Sequence, residues 1–121
     1  MIQDDLYSHL SNNAGITAIT TRIYPILVKQ NEDLPAVSYS MDGQTDEKDI
    51  SGTVQFTVTE TTIEAFASGY REVKLLAAAI KTAMETASTA WWQADLGAEA
   101  DGYESESNAY SVVLTYTITH N

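Results

Sequence analysis

The chain has 121 residues, of which 44% are hydrophobic, and this length and composition fit one globular domain spanning residues 1–121. It carries 17 acidic residues against 6 basic ones, giving a formal charge of −11, and it contains no cysteine. The missing cysteines exclude disulfides, thiolate catalysis and cysteine-based metal sites. Because the few cations are scattered along the sequence, the charge argues against a protein that binds a phosphate backbone or an anionic membrane.

The N-terminal residues show neither a basic region nor an apolar run, so they do not form a secretory signal. No stretch approaches the ~20 apolar residues needed to span a bilayer. We therefore expect the chain to be made and assembled in the cytoplasm.

Two short helical patterns open the chain. Apolar residues recur at four-residue intervals from Ile2 to Leu10 and predict a short amphipathic helix. A second pattern, residues 16–23, stops before Pro25, because the residue before a proline is driven out of the α region.

Residues 35–41 alternate apolar residues with serine and predict a half-buried strand that starts at a proline. An acidic segment at residues 42–49 follows, and we predict that it is a loop. Its carboxylates are Asp42, Asp46, Glu47 and Asp49, set against Lys48.

The composition from residue 53 to residue 67 is strongly β-forming, but its alternation changes phase. Apolar residues fall on even positions up to Val58 and on odd positions from Ile63. Because one flat strand would then exchange its buried face midway, we predict a bulge or tight turn near Glu60.

The clearest predicted element is a helix over residues 70–87, in which apolar residues recur at three- and four-residue intervals among many alanines. Residues 90–94 predict a strand, and residues 95–106 predict a second loop with five carboxylates and no cation. The alternation over residues 110–119 predicts a long terminal strand with one buried face. The two acidic segments are either charged loops that keep the protein soluble or a repulsive surface with a function.

The adjacent Trp91 and Trp92 would face opposite sides of a strand. Either both are covered by the helix layer and the loops, or one is exposed and anchors a partner subunit.

We find no motif for catalysis, for a cofactor or for a strong metal site. His9 and His120 have no neighbour at metal-ligand spacing, and phosphate loops, nucleophile elbows and HExxH are absent from the sequence. The run at residues 99–106 fails the EF-hand pattern and leaves open only a weak, adventitious Ca²⁺ or Mg²⁺ site. We expect that the protein is not an enzyme.

Together these patterns predict an α+β fold. A mostly antiparallel sheet of about four strands would carry one long helix and a short N-terminal helix on one face.

Four short motifs and their order resemble the tail-completion (tail-terminator) proteins of long-tailed bacteriophages, which are similar in fold to the tail terminator of phage lambda. The motifs are RIYP at residues 22–25, LPAVSY at 34–39, AFASGY at 65–70 and DGYE at 101–104.

This resemblance implies a homo-oligomeric, six-fold ring at the head–tail junction of the virion. The ring would cap the tail tube, end its polymerisation and join it to the head-side connector, while DNA passes through as cargo that does not stick. The candidate acidic loop facing the lumen or the tube is Asp42, Asp46, Glu47 and Asp49. The candidate subunit or partner contacts are Trp91, Trp92, Asp101 and Tyr103.

Two alternatives remain open at the level of the sequence. One is another head–tail joining or minor tail protein, and the other is a small bacterial regulatory or ligand-binding α+β domain. Neighbouring genes for a major tail protein and a tape measure would favour the tail terminator.

Overall fold

A five-stranded sheet with helices on one face forms the fold. The computed structural model describes residues 2–25, 34–48, 50–52, 54–85, 93–105 and 108–120. Its helices are α1 (Ile2–Ser11), α2 (Ala14–Thr17) and α3 (Tyr70–Glu85). Its strands are β1 (Ile23–Pro25), β2 (Ala36–Lys48), β3 (Val54–Ala67), β4 (Gln93–Glu104) and β5 (Ala109–His120). The sheet order is β1-β2-β3-β5-β4, in which β1 is parallel to β2 and the other neighbours are antiparallel.

The central strands β3 and β5 define two different faces of the sheet. Their pairing places Ile63 opposite Leu114 and Ala65 opposite Val112, and all four side chains are fully buried. We call this side the helix face, because the buried residues of the helices join the same cluster. The other side, the open face, carries the even-numbered residues of β3 and the odd-numbered residues of β5, and those that the structure describes are half-buried or exposed, except Ala109, which is buried.

Helix α3 supplies most of the cover for the helix face. Its apolar residues recur at three- and four-residue intervals, as an amphipathic helix requires. Those that are buried are Val73, Leu76, Ala77, Ile80, Ala83 and Met84. The helix begins where the Val73 N–H donates to the Gly69 carbonyl at 3.0 Å. Because alanine is small, α3 can approach the sheet closely, and each large aliphatic side chain buried there contributes about 1.5–3 kcal/mol.

The two N-terminal helices extend the same core. Leu6 and Leu10 of α1 and Ile16 of α2 are fully buried in the cluster under α3. The Asn13 side chain accepts a hydrogen bond from the Ile16 N–H at 3.1 Å and caps α2. His9 donates from Nε2 to the Ala83 carbonyl at 2.6 Å, which ties α1 to the end of α3.

The predicted α+β architecture is confirmed, whereas its details are corrected in two places. The sheet has five strands rather than about four, because Ile23 ends the predicted helical pattern and starts the short parallel strand β1. A third helix, α2, accounts for the apolar residues just before it. The predicted strand at 35–41 and the terminal strand at 110–119 are present within β2 and β5.

The two acidic segments are strands, so the prediction that they are loops is wrong. Residues 42–48 continue β2 as the outer part of a long hairpin with β3, and residues 95–104 belong to β4, at the edge of the sheet. A strand of this kind needs only a partner for its backbone, and its side chains can stay in water. The acidic side chains in these segments therefore indicate exposure to solvent and do not indicate a loop.

The predicted bulge near Glu60 lies on the partner strand instead. β3 pairs with β5 without interruption, whereas the β2 register shifts between Met41 and Gly43, opposite Glu60. The apparent change of phase in β3 arises because Thr57, Thr59 and Thr61 are buried on the helix face. Threonine is both β-forming and polar, so a search for alternating apolar residues does not detect the buried side of β3 at these three positions.

Some predictions fall outside the described residues. These are Asp49, both tryptophans, and the last two residues of the helix predicted over 70–87. The two alternatives for Trp91 and Trp92 therefore stay predictions. Within the described part of the chain, every helix is too short or too polar to cross a membrane.

Adjacent leucines on α3 test this packing. Leu76 is fully buried, whereas Leu75 is 54% exposed. We expect Leu76→Ala to lower the free energy of unfolding by about 2–5 kcal/mol, because it removes buried methyl groups and leaves a cavity. The matched Leu75→Ala change should stay within about 0.5 kcal/mol. Urea unfolding followed by circular dichroism measures both, and similar losses would contradict the assigned helix face.

Candidate functional site

The carboxylates of the first acidic segment lie on the outer half of the β2–β3 hairpin. Asp42, Asp46 and Glu47 are all exposed, and Asp49 lies outside the described residues. Asp42 is the residue that the β2 register skips, so it forms a β-bulge. The negative charge thus lies on the outer part of β2, beyond the residues 37–39 that pair with β1, where β3 is its one neighbouring strand in the described structure.

Strand pairing distributes these carboxylates over both faces. Asp46 lies opposite Thr57 on the helix face and accepts a hydrogen bond from its hydroxyl at 2.9 Å. Asp42 accepts hydrogen bonds from the hydroxyls of Ser40, at 3.2 Å, and Thr62 on the open face. The predicted acidic loop is therefore a strand segment with carboxylates on both faces, and these do not form a single patch. We call this outer part of the hairpin, residues 42–48, the acidic blade.

The second acidic segment, in β4, is bound to α3 by ion pairs. Lys74 Nζ lies 3.0 Å from Glu99 Oε2 and 3.1 Å from Asp101 Oδ1, and Lys81 Nζ lies 2.7 Å from Glu99 Oε1. The Tyr70 hydroxyl donates to Asp101 Oδ2 at 2.8 Å. This network holds the edge strand β4 against the helix layer.

The ion pairs and hydrogen bonds of this network shift the pKa values of its members. Hydrogen bonds from Lys81 and Lys74 lower the pKa of Glu99, and those from Tyr70 and Lys74 lower the pKa of Asp101. The hydrogen bond to Asp101 raises the pKa of Tyr70, and the bonds to Glu99 and Asp101 raise the pKa of Lys74. Part of the charge of this second acidic segment is therefore neutralised within the chain.

The two predicted contact residues in β4 lie in different surroundings. Asp101 is occupied by α3, whereas Tyr103 is 53% exposed at the end of the sheet. The Tyr103 ring packs 4.7 Å from that of Tyr110, which in turn lies 5.9 Å from the Tyr70 ring. The Tyr103 hydroxyl donates to Asn108 Oδ1 at 3.0 Å. These residues form an aromatic cluster where α3 begins.

A cavity of about 370 Å³ lies at this end of the sheet, and its lining includes Glu64, Phe66 and Ser111 of the open face. Gly102 also lines it and lies close to the Ser111 side chain, since a Cβ atom at position 102 would lie 2.7 Å from the Ser111 hydroxyl oxygen. Burial raises the pKa of Glu64. Sequence patterns assign no role to Glu64, and Phe66 enters only as part of the AFASGY motif, because the place of both side chains depends on which face the helices cover.

The described histidines and carboxylates are dispersed over the fold. In the described part of the chain no three histidine, aspartate or glutamate side chains come together in a way that could hold a metal ion. Glu99 and Asp101 lie on the helix face. Glu104 pairs with Ala109 and therefore lies on the open face. The described carboxylates of the run at 99–106 therefore do not converge. The two histidines have other contacts, His9 with the Ala83 carbonyl and His120 with the Thr59 hydroxyl at 2.8 Å.

Lys74→Gln tests the ion-pair network. We expect a lower thermal unfolding midpoint at pH 7 and faster hydrogen exchange of the β4 amides, because both carboxylates lose a charged partner. Their pKa values are lower in the folded chain, so this stabilisation is present above the unfolded pKa of about 4. It is lost as the pH falls through the folded values, and added salt also reduces it.

The matched control is Lys48→Gln, which removes one exposed cation from the hairpin. We expect it to leave β4 exchange unchanged at any pH. An equal effect of Lys74→Gln at pH 7 and at pH 2 would contradict the electrostatic explanation.

Comparison with known proteins gives a family and a fold. A family model described as "Tail completion protein gp17" matches residues 4–121. A chain in a solved structure titled "Virion of native gene transfer agent (GTA) particle" aligns with a TM-score of 0.79 and 17% identity. The alignment covers 98% of this chain and 92% of that one, and at this identity it shows a shared fold. No curated protein sequence matches the chain.

The family model spans nearly the whole domain, which confirms the resemblance predicted from the four motifs. Tail completion proteins are structural phage proteins and are not a family of enzymes. The chain belongs to the tail completion protein gp17 family.

Proposed function

We propose that the chain is a structural virion protein that forms a homo-oligomeric, six-fold ring at the head–tail junction. The ring caps the tail tube, ends its polymerisation and joins it to the head-side connector. The observation that carries this proposal is the family match over residues 4–121. The likeness in fold to a chain of a gene transfer agent virion supports it.

The architecture suits a repeated, head-to-tail contact. The helices cover one face of the sheet, and the open face retains half-buried apolar side chains, among them Phe66 and Val113. A surface of this kind can accept a different surface of the next copy. Head-to-tail contacts close into a ring when the rotation between copies closes.

The partners of such a ring are other copies of the chain, the tail tube protein and the connector or stopper protein. DNA is cargo in the channel. The net charge of −11 agrees with this, because a negative lumen repels phosphate over roughly the Debye length of about 8 Å. Assembly takes place in the host cytoplasm, and we assign no catalytic step to the chain.

The acidic blade of the β2–β3 hairpin is our candidate for the surface that faces the lumen or the tube. Asp42, Asp46 and Glu47 project from an exposed hairpin that extends beyond the short strand β1. Asp49 follows them in the sequence. A rigid hairpin can hold charge at a fixed distance from a channel axis, which a flexible loop cannot do.

Particles assembled without this protein test the tail-completion role. We expect tail tubes of uncontrolled, greater length and heads without attached tails, because nothing ends polymerisation or joins the two parts. Negative-stain images of the particles measure tube length and attachment. Resupplying the purified protein should restore attachment and show a ring density at the tube end. Tubes of normal length with tails attached would contradict the proposal.

Replacing Asp46, Glu47 and Asp49 together with lysine tests the acidic blade. We expect rings still to form, because Asp46 and Glu47 are exposed, while DNA release from the particle slows through attraction between lysine and phosphate. Triggered DNA ejection followed by dye fluorescence measures the rate. The matched neutral variant, Asp46→Asn with Glu47→Gln and Asp49→Asn, should give an intermediate rate. Unchanged ejection in the lysine variant would place the blade away from the channel.

A further inference from the structure

The side of α3 that points away from the sheet carries a row of exposed residues. Successive residues of an α-helix are about 100° apart around its axis, so five positions of α3 fall within a stripe about 80° wide. This stripe lies opposite the buried residues of the helix, and all five of its members are exposed. We call it the outer stripe, and it consists of Arg71, Leu75, Ala78, Thr82 and Glu85.

The two ends of the outer stripe carry opposite charges. Arg71 and Glu85 form no ion pair with another described residue. Lys81, one helical turn before Glu85, is held by Glu99 at 2.7 Å instead. Each of the two charges also lies at the unfavourable end of the helix dipole, because Arg71 is near the positive N-terminus and Glu85 is at the negative C-terminus. Neither charge therefore stabilises α3 by itself.

The middle of the outer stripe is mostly apolar. Leu75 is 54% exposed, and Ala78 presents a single methyl group. The Thr82 hydroxyl donates to the Ala78 carbonyl at 3.0 Å, so its polar group is satisfied within the helix. One leucine between small side chains lets a second helix approach closely, because the distance between packed helices depends on the side chains at the contact.

The outer stripe is complementary to a second copy of itself that runs in the opposite direction. Ala78 lies midway between Arg71 and Glu85, about 10 Å along the helix from each. A two-fold axis through Ala78 therefore brings Arg71 of each copy level with Glu85 of the other. Each charge then also lies beside the favourable end of the neighbouring helix dipole. A parallel arrangement would instead bring arginine against arginine.

We propose that α3 packs antiparallel against α3 of a second copy, so that Arg71 pairs with Glu85 of that copy and Leu75 lies against its Ala78 and Thr82. This two-fold contact closes with two copies. It is separate from the head-to-tail contact of the proposed ring and does not rest on it.

The composition of α3 favours it as the meeting place of two acidic chains. Among the described helices and strands, α3 is the one with more cations than carboxylates, three against two. Repulsion between copies is therefore smallest there. A contact limited to one pair of short helices is smaller than the roughly 1,200–2,000 Å² interfaces of stable complexes, so we expect a reversible dimer.

Charge reversal tests the pairing. Arg71→Glu and Glu85→Arg should each weaken the dimer at least about tenfold, because like charges then meet at both ends of the contact. Sedimentation equilibrium measures this at about 0.15 M salt, where the long-range repulsion between acidic chains is screened. The matched control Glu72→Arg reverses an exposed charge in the same helical turn, outside the stripe, and should have little effect.

An equimolar mixture of Arg71→Glu and Glu85→Arg separates the contact from an effect on folding. In the mixed dimer each end of the contact again joins an arginine with a glutamate, so association should return. Both reversals also place a charge at the favourable end of the α3 dipole, so the thermal unfolding midpoint of each variant should stay equal or rise. A loss of folding would lower the midpoint and would not be repaired by mixing.

Cysteine cross-linking tests the position of the two-fold axis, because the natural chain contains no cysteine. The two copies of position 78 face each other across the axis, so Ala78→Cys treated with a short bismaleimide should give a covalent dimer. Glu72→Cys, which is also exposed but lies outside the stripe, should give little.

Three results would each overturn the contact. They are a natural chain that stays monomeric up to its highest soluble concentration, a mixture of the two charge variants that does not associate, and equal cross-linking of the two cysteine variants. All three concern the free protein, whereas the ring is tested on particles. The ring would therefore stand after any of them.

Discussion

The packing of α3 on one side of the sheet is the interaction on which the rest of the structure depends. It buries Ile63, Leu114 and their neighbours, and it decides which alternate residues of β3 and β5 form a core. Since the helices of the described chain all join the core on that side, Glu64, Phe66 and Val113 on the other side stay half-buried. In the part of the chain that the structure describes, no helix covers this second face of the sheet. In an assembling protein, that surface is available to a neighbour without any rearrangement.

Two β-bulges, one in β2 and one in β4, determine which face of the sheet the acidic side chains occupy. In β4 the register shifts between Leu96 and Ala98, and after this bulge Glu99 and Asp101 lie on the helix face beside Lys74 and Lys81. Without the extra residue these carboxylates would project from the open face. In β2 the bulge at Asp42 reverses the alternation in the same way and places Asp46 beside Thr57. Each bulge therefore selects which carboxylates bind within the chain and which remain exposed.

The sequence predicts the helices and strands that bury one side, because burial produces a periodic apolar pattern. It misses the strands that are held only by backbone pairing with a neighbouring strand. Helix α3 and strand β5 follow from apolar spacing, because each has one buried side. The acidic strands cannot be found in this way, since their side chains remain in water and only their backbone is paired. Buried threonines such as Thr59 and Thr61 give no apolar signal either. For the candidate site, the acidic residues are visible in the sequence, whereas the half-buried position of Glu64 and the bonds from α3 to Asp101 depend on the fold.

The distribution of charge also constrains how such a chain can assemble. The exposed edge of the sheet at β4 and the outer part of β2 both carry carboxylates, so pairing of these edges between copies would bring like charges together. Contacts between two open faces meet the same difficulty. The surface that combines cations with an exposed leucine is the outer side of α3. If this acidic chain associates with itself, as we propose, the charge disfavours contacts between its edges, and a contact between unlike surfaces would repeat around an axis and close the proposed ring.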